Sequence, residues 1–213
     1  MGSRITDVVK NLLILNVLMF LATITLEGRG IDLTSMFSLH NPFREGSGFQ
    51  PYQIVTSMFM HANPMHLLSN MIGLFFIAPI IEMRLGAKRF LAYYLITGLG
   101  ATAVFMLVSA LTETDPVANY LLLGASGALS GVMMAFMLYY PNIKLMLLFF
   151  PVPIKAKYLI GGMLIYDIIM GFLGNGSFIG VAAGTSVAHT AHVGGALFGF
   201  LLITFWRKRG KVL

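Results

Sequence analysis

Three short stretches carry side chains able to do covalent chemistry in apolar surroundings. "GASG" sets Ser126 between Gly124 and Gly127, "VAHTAHVGGALFG" contains His189 and His192, and "HANPMHLLSN" contains His61, His66 and Asn70. A serine hydroxyl becomes a nucleophile when a neighbouring base takes its proton, and neutral imidazole suits that task near pH 7. A serine on a sharp, glycine-permitted turn can be such a nucleophile; among small residues in an apolar helix it can equally serve close helix packing. His66 and Asn70 are four residues apart and so project from one helical face. Together with the Ser126 backbone N–H near a helix start, they could donate to the oxyanion of an acyl transfer. The chain contains no cysteine, which excludes a thiol nucleophile, disulfides and thiolate zinc sites. It also lacks an H-E-x-x-H zinc-protease motif.

The elements that must position these groups are membrane helices. With 57% hydrophobic and only 10% charged residues and a mean hydropathy of +0.83, the chain lies far from the usual globular balance of about 25% charged residues. Apolar windows of spanning length fall near 11–26, 64–81, 90–111, 121–140, 158–173 and 187–206. No linker, charge block or repeat divides them, so the expected fold is all-α: residues 1–213 as a single polytopic bundle of six transmembrane helices. Twelve of the 14 basic residues flank the side holding both termini, whereas the odd-numbered loops hold only Arg29 and Arg44. That asymmetry predicts cytoplasmic termini, and it accounts for the net charge of +6 without a nucleic-acid partner.

With this topology the second, fourth and sixth spans run from outside inward, and each polar group falls in the first third of its span. Ser126 is expected roughly 5 to 8 Å, and His192 roughly 7 to 8 Å, inside the start of its helix. Gly127 and Gly131 form one ridge of small residues and Gly195 and Gly199 another, which lets the fourth and sixth helices approach until a serine and a histidine meet. The first external loop, Gly28 to Met60, mixes aromatic and polar residues as interfacial segments do. The glycine-rich "GNGSFIGVAAGTS" has the composition of a lid over a site that must admit water.

H-x4-H-x3-N in the second span, G-x-S-G opening the fourth, and A-H-x2-G-x3-G in the sixth resemble, in this order, the rhomboid intramembrane serine proteases. "EMRLGAKRF", with Glu82, Arg84 and Gly86, resembles the family's E-x-R-x-G element. The resemblance covers nearly the whole chain. It implies Ser126 as nucleophile and His192 as general base, a dyad without an obligatory acid, with Asn70, His66 and the Ser126 N–H around the oxyanion. His61, Gly124, Gly127, Gly195, Gly199, Glu82 and Arg84 would be structural. It implies neither metal nor other cofactor, and as partners the lipid bilayer and the transmembrane segments of other proteins, cleaved at helix-breaking sites. The fifth span and the loop after it, about Tyr158 to Ser186, would form gate and cap. Six spans with short tails resemble the prokaryotic form, implying a bacterial plasma membrane with the active site opening outward. Two positions depart from the family pattern: Tyr52-Gln53 stands where many members carry Trp-Arg, and Ser130 where an aromatic often stacks on the catalytic imidazole. Asp167 interrupts the apolar fifth span at a height close to that of His192 and must find a partner there.

Overall fold

Asn63-Pro64 begins a helix as local chemistry dictates. The Asn63 side chain accepts the His66 N–H at 2.8 Å, while proline occupies the first turn, where its missing N–H costs nothing. The resulting α4, Pro64–Leu85, ends at Gly86, whose φ of +78° turns the chain directly into α5, Ala87–Leu111. In the computed structural model, which describes residues 5–43, 45–111, 121–147, 150–173 and 189–210, these two helices are joined by α1, Asp7–Glu27, α6, Ser126–Tyr139, α7, Ala156–Leu173, and α8, His189–Lys208. The first loop adds two short helices, α2, Leu33–Phe37, and α3, Gln53–Thr56. Strands β1, Lys144–Leu147, and β2, Phe150–Lys155, form an antiparallel hairpin between α6 and α7. The chain is mostly helical, and the hairpin corrects the all-α expectation. Lys144 pairs with Lys155 and Leu145 with Ile154, so backbone groups of a connection read as a loop satisfy one another.

Among the described residues four helices, α1, α4, α5 and α8, are long and apolar enough to cross a membrane, and α6 is a shorter apolar helix. The protein is a multi-pass membrane protein. Large apolar side chains such as Leu18, Phe76, Leu107 and Leu201 are exposed along these helices, as expected where lipid is the solvent. The core lies between α4, α5, α6 and α8 and holds Leu74, Phe90, Tyr93, Tyr94, Val132 and Ile203.

Two expectations are displaced. The fourth helix does not occupy 121–140 but begins at Ser126. Leu121–Gly124 is not helical: Leu122 and Leu39 exchange both backbone hydrogen bonds, at 2.9 and 3.0 Å, and the Gly124 N–H donates to Ser57 O at 2.9 Å. Ser126 therefore stands at the head of α6 rather than one to two turns inside it. The sequences "TETDP" and "GNGSFIGVAAGTS", including the expected lid, lie outside the described residues.

Glycine sets the spacing of the bundle. A Cβ at Gly195 would run into the Gly127 carbonyl, and one at Gly199 would lie 3.0 Å from Gly131 Cα and O. The backbones of α6 and α8 are thus in direct contact. At the other end of these helices, the Glu82 carboxylate accepts the Val8 and Val9 N–H groups at 3.2 and 2.9 Å and the Thr6 hydroxyl. It thereby satisfies donors that the start of α1 leaves open. Arg84 and Arg207 lie over the Tyr139 ring, 5.0 and 4.5 Å from its centroid. The E-x-R-x-G element therefore fastens the start of α1 and the ends of α4, α6 and α8 at one face, opposite Ser126.

In the first loop, buried Gln53 does the organising. Its Oε1 accepts the His40 and Gln50 N–H groups and its Nε2 donates to Met36 O, while the Tyr52 ring sits 6.0 Å from that of Phe37.

Gly195→Ala is expected to force α6 and α8 apart, lowering the melting temperature in detergent and the yield of folded protein together. Gly162→Ala, where an added Cβ meets nothing within 4 Å, should leave both unchanged or raise stability slightly. Paired melting curves check this; equal stability of the two variants would contradict the contact.

Candidate active site

Gly124 places the serine. Its φ of +117° is open to glycine, and a Cβ there would lie 2.8 Å from both Cε1 and Nε2 of His66. The turn delivers Ala125 as a cap whose side chain makes no hydrogen bond and Ser126 as the first helical residue. The opening N–H groups of α6 consequently lack acceptors within the helix and carry its positive dipole end.

From the facing helix, His192 brings Nε2 to 2.9 Å from Ser126 Oγ. His189, one turn earlier, turns instead to α7, with Nδ1 2.7 Å from Asp167 Oδ1. His192 Nδ1 lies 3.2 Å from that same oxygen. These three side chains are 12 to 17% exposed, and their ligand atoms lie within 4.8 Å of one another, close enough to hold a metal ion. From the sequence, the height of Asp167 allows it to orient a histidine, but a bond to Tyr, Ser or backbone is the favoured expectation, because helix rotation is invisible in hydropathy; the structure gives both bonds to histidines.

On α4, Asn70 Nδ2 donates to His66 O at 2.8 Å, and its buried Oδ1 has no partner among the described residues. The amide retains a second N–H. His66 Nδ1 accepts a long bond from the Ala62 N–H, 3.4 Å, which leaves the ring proton on Nε2, the atom beside Gly124. Ser130 Oγ bonds to Ser126 O, 2.9 Å away in its own helix. Ser126, His192, His66, Asn70 and Asp167 all border one cavity of about 980 Å³, whose wall is mostly apolar, with residues such as Met133 and Met163. A large apolar pocket with a few convergent polar groups is the usual form of a binding site. The structure thus brings together Ser126, His192, His66 and Asn70, whereas Glu82 and Arg84 lie at the far end of the bundle.

The bundle and this cluster define a membrane protein with a serine and a histidine in contact below a cavity. Residues 48–209 match the Rhomboid domain, and the chain belongs to the rhomboid family. It is 31% identical over 201 residues to RHOMBOID-like protein 12, mitochondrial, of Arabidopsis thaliana, covering 89% of this chain and 55% of that protein. With Presenilin-associated rhomboid-like protein A, mitochondrial, of Danio rerio, identity is 32% over 167 residues, 75% of this chain and 40% of the relative. Rhomboid-like protease 3 of Toxoplasma gondii is 31% identical over 84 residues, 38% of this chain and 32% of the relative. The matches span about half or less of the length of these relatives.

His61 lies just before α4, 2% exposed, with its ring edge-on to that of His66 at 5.1 Å and both nitrogens without a partner among the described residues. Burial, and secondly the charge of His66, push its pKa down to about 4, against about 6.5 in an unfolded chain. Between those values the unfolded chain binds more protons, so this group's contribution to stability is present above about pH 6.5 and is lost as pH falls through about 4. The expected loss is about 3 kcal/mol. Melting temperatures measured from pH 7 to pH 4 should fall less steeply for His61→Phe than for the wild type; parallel curves would remove His61 as a source of acid sensitivity.

Proposed function

We propose that this protein is a rhomboid-type serine endopeptidase that hydrolyses peptide bonds in or near transmembrane segments of other membrane proteins, with Ser126 as nucleophile and His192 as general base. The observation that carries the proposal is the 2.9 Å contact between Ser126 Oγ and His192 Nε2 at the wall of the cavity. As Oγ bonds to the scissile carbonyl carbon, its proton passes to Nε2 and the carbonyl π electrons move onto oxygen. The oxyanion is met by the Ser126 N–H, by His66 Nε2 and by the second Asn70 N–H. Collapse breaks the C–N bond, and the amine leaves with the proton from Nε2. Water then gives a proton to Nε2 and attacks the acyl carbon; the second collapse releases the acid and restores Ser126.

The membrane setting follows from helix length. Six helices, α1, α4, α5, α6, α7 and α8, serve as spans of a single domain. The 14 residues of α6 extend about 21 Å against a hydrocarbon core of about 30 Å. With Tyr139, Arg84 and Arg207 anchored at one interface, Ser126 then lies roughly 9 Å below the other. A site at that depth receives water from the cavity mouth and a substrate helix from the bilayer. Substrate backbone must be unwound locally before its carbonyl can be attacked, which favours segments rich in small or helix-breaking residues. The basic loops favour cytoplasmic termini, in our reading in a bacterium, with the site opening outward; two of the three relatives named above are mitochondrial by name. Tyr158 to Leu173 of α7 serves as the gate; the cap expected from the segment up to Ser186 lies outside the described residues. The dyad works without a metal. An ion on Nδ1 of His192 would leave the ring's proton on Nε2, facing Ser126, and remove the base.

Ser126→Ala and His192→Ala should each abolish cleavage of a single-span substrate and labelling by a fluorophosphonate in a folded protein, because the two act as a unit. His189→Ala should retain substantial activity, and chelators should change nothing. Near-normal turnover by Ser126→Ala or His192→Ala, or metal-dependent activity, would overturn the assignment.

Asn70→Ala should lower kcat by about 10- to 1,000-fold with little change in KM, and His66→Ala likewise. The double variant should fall short of additivity, since both donors serve one oxygen. A destabilised Asn70→Ala protein with unchanged kcat would take Asn70 out of the site.

A further inference from the structure

We propose that Asp167 is a positioning residue for His192, so that this chain works with a Ser126–His192–Asp167 relay in which His189 holds the carboxylate in place. The inference rests on the protease reading and deepens it.

An acid in the middle of an apolar helix needs compensation, and α7 supplies none from its own flank. Instead a single oxygen, Asp167 Oδ1, receives both imidazoles of α8, His189 Nδ1 at 2.7 Å and His192 Nδ1 at 3.2 Å. An ionised carboxylate can only accept, so each Nδ1 must carry a hydrogen. A neutral imidazole has one N–H. His192 is therefore left with a bare lone pair on Nε2, and that is the atom 2.9 Å from the serine hydroxyl. The bond to Asp167 thus selects the one tautomer able to act as base. It also fixes the ring plane, which α6 does not do: Ser130, one turn beyond Ser126, spends its hydroxyl on its own helix. Among the described residues the aromatic contact of His192 is with His189 itself, edge-on at 6.4 Å between centroids.

When Ser126 attacks, the proton moves from Oγ to Nε2 and stays there until the amine takes it; Asp167 gains no proton. An imidazolium forms beside the carboxylate, in surroundings poor in water, where the attraction between them is felt most strongly. His189 has a separate task. Its shorter bond and its edge-on contact with Tyr166 of α7, 5.5 Å between centroids, keep Oδ1 aimed at α8 when His192 moves.

A purely structural Asp167 would tie α7 to α8 through the 2.7 Å bond to His189 alone, and the two roles separate experimentally. Asp167→Asn keeps the shape and removes the charge. It should lower kcat and the rate of fluorophosphonate labelling of Ser126 by roughly 10- to 1,000-fold, with KM within about threefold and the melting temperature within a few degrees. His189→Phe, which loosens the carboxylate but leaves its charge and its bond to His192, should lower the labelling rate by clearly less than Asp167→Asn does. On the wild-type protein, nitrogen-15 NMR of the His192 ring in detergent at neutral pH should show the Nδ1–H tautomer. Labelling of Asp167→Asn at the wild-type rate, a loss in His189→Phe as large as that in Asp167→Asn, or an Nε2–H tautomer in the wild type would each overturn the inference. Failure of the wild type to label at Ser126 would instead overturn the protease reading beneath it.

Discussion

The backbone contact between α6 and α8 governs the whole site. Helices with ordinary side chains at their seam run 8–10 Å apart, and at that separation a serine on one and a histidine on the other would be divided by intervening side chains. With Gly195 against the Gly127 carbonyl and Gly199 against Gly131, the interposed atoms are gone. Ser126 and His192 then meet at hydrogen-bond distance although 66 residues separate them. The same closeness excludes any compensating shift of a flexible side chain, since the atoms in contact are main chain. α5 takes part in the same way, with Thr97 against Gly131 and Ala101 against Gly127, so three helices share one tight seam.

Around that rigid seam several polar groups are left without partners, which is costly in a low-dielectric interior. Among the described residues the first N–H groups of α6 have no side-chain cap, Asn70 Oδ1 is buried and unpaired, and the His61 ring is buried with both nitrogens unpaired. Ser126, at the head of α6, and Asn70 border one cavity, where the open N–H groups of the helix start and the second amide N–H of Asn70 are donors already in place, needing no reorganisation as charge develops. His61 stands behind them, packed on His66, and its orphaned nitrogens have no such use. At the other end of the bundle Glu82 accepts from the start of α1, and Arg84 and Arg207 lie over the Tyr139 ring, although the buried Tyr139 hydroxyl has no partner among the described residues.

The first loop has an unexpectedly direct part in this. Gln53 satisfies three backbone groups at once and so holds the segment from Met36 to His40 in the conformation that lets Leu39 pair with Leu122. That pairing keeps Leu121–Gly124 extended and delays the start of α6 to Ser126. A loop distant in sequence therefore decides where the helix of Ser126 begins.

Hydropathy and spacing by themselves determined that the chain belongs in a membrane, the positions of its helices to within a few residues, and the grouping of Ser126, His192, His66 and Asn70. Those properties are local: apolar run length, glycine spacing and the four-residue repeat of a helix face act within one segment. What the tertiary structure alone decided depends on contacts between segments. Leu121–Gly124 reads as helix because its residues are apolar, yet backbone bonds to Leu39 and Ser57 make it extended. The Lys144–Lys155 hairpin escapes a hydropathy reading because its pairing is a matter of register. Above all, the sequence shows that Asp167 needs a partner but not which one, since nothing in α7 records how the helix is rotated; only the packing of α7 against α8 turns its carboxylate onto His189 and His192.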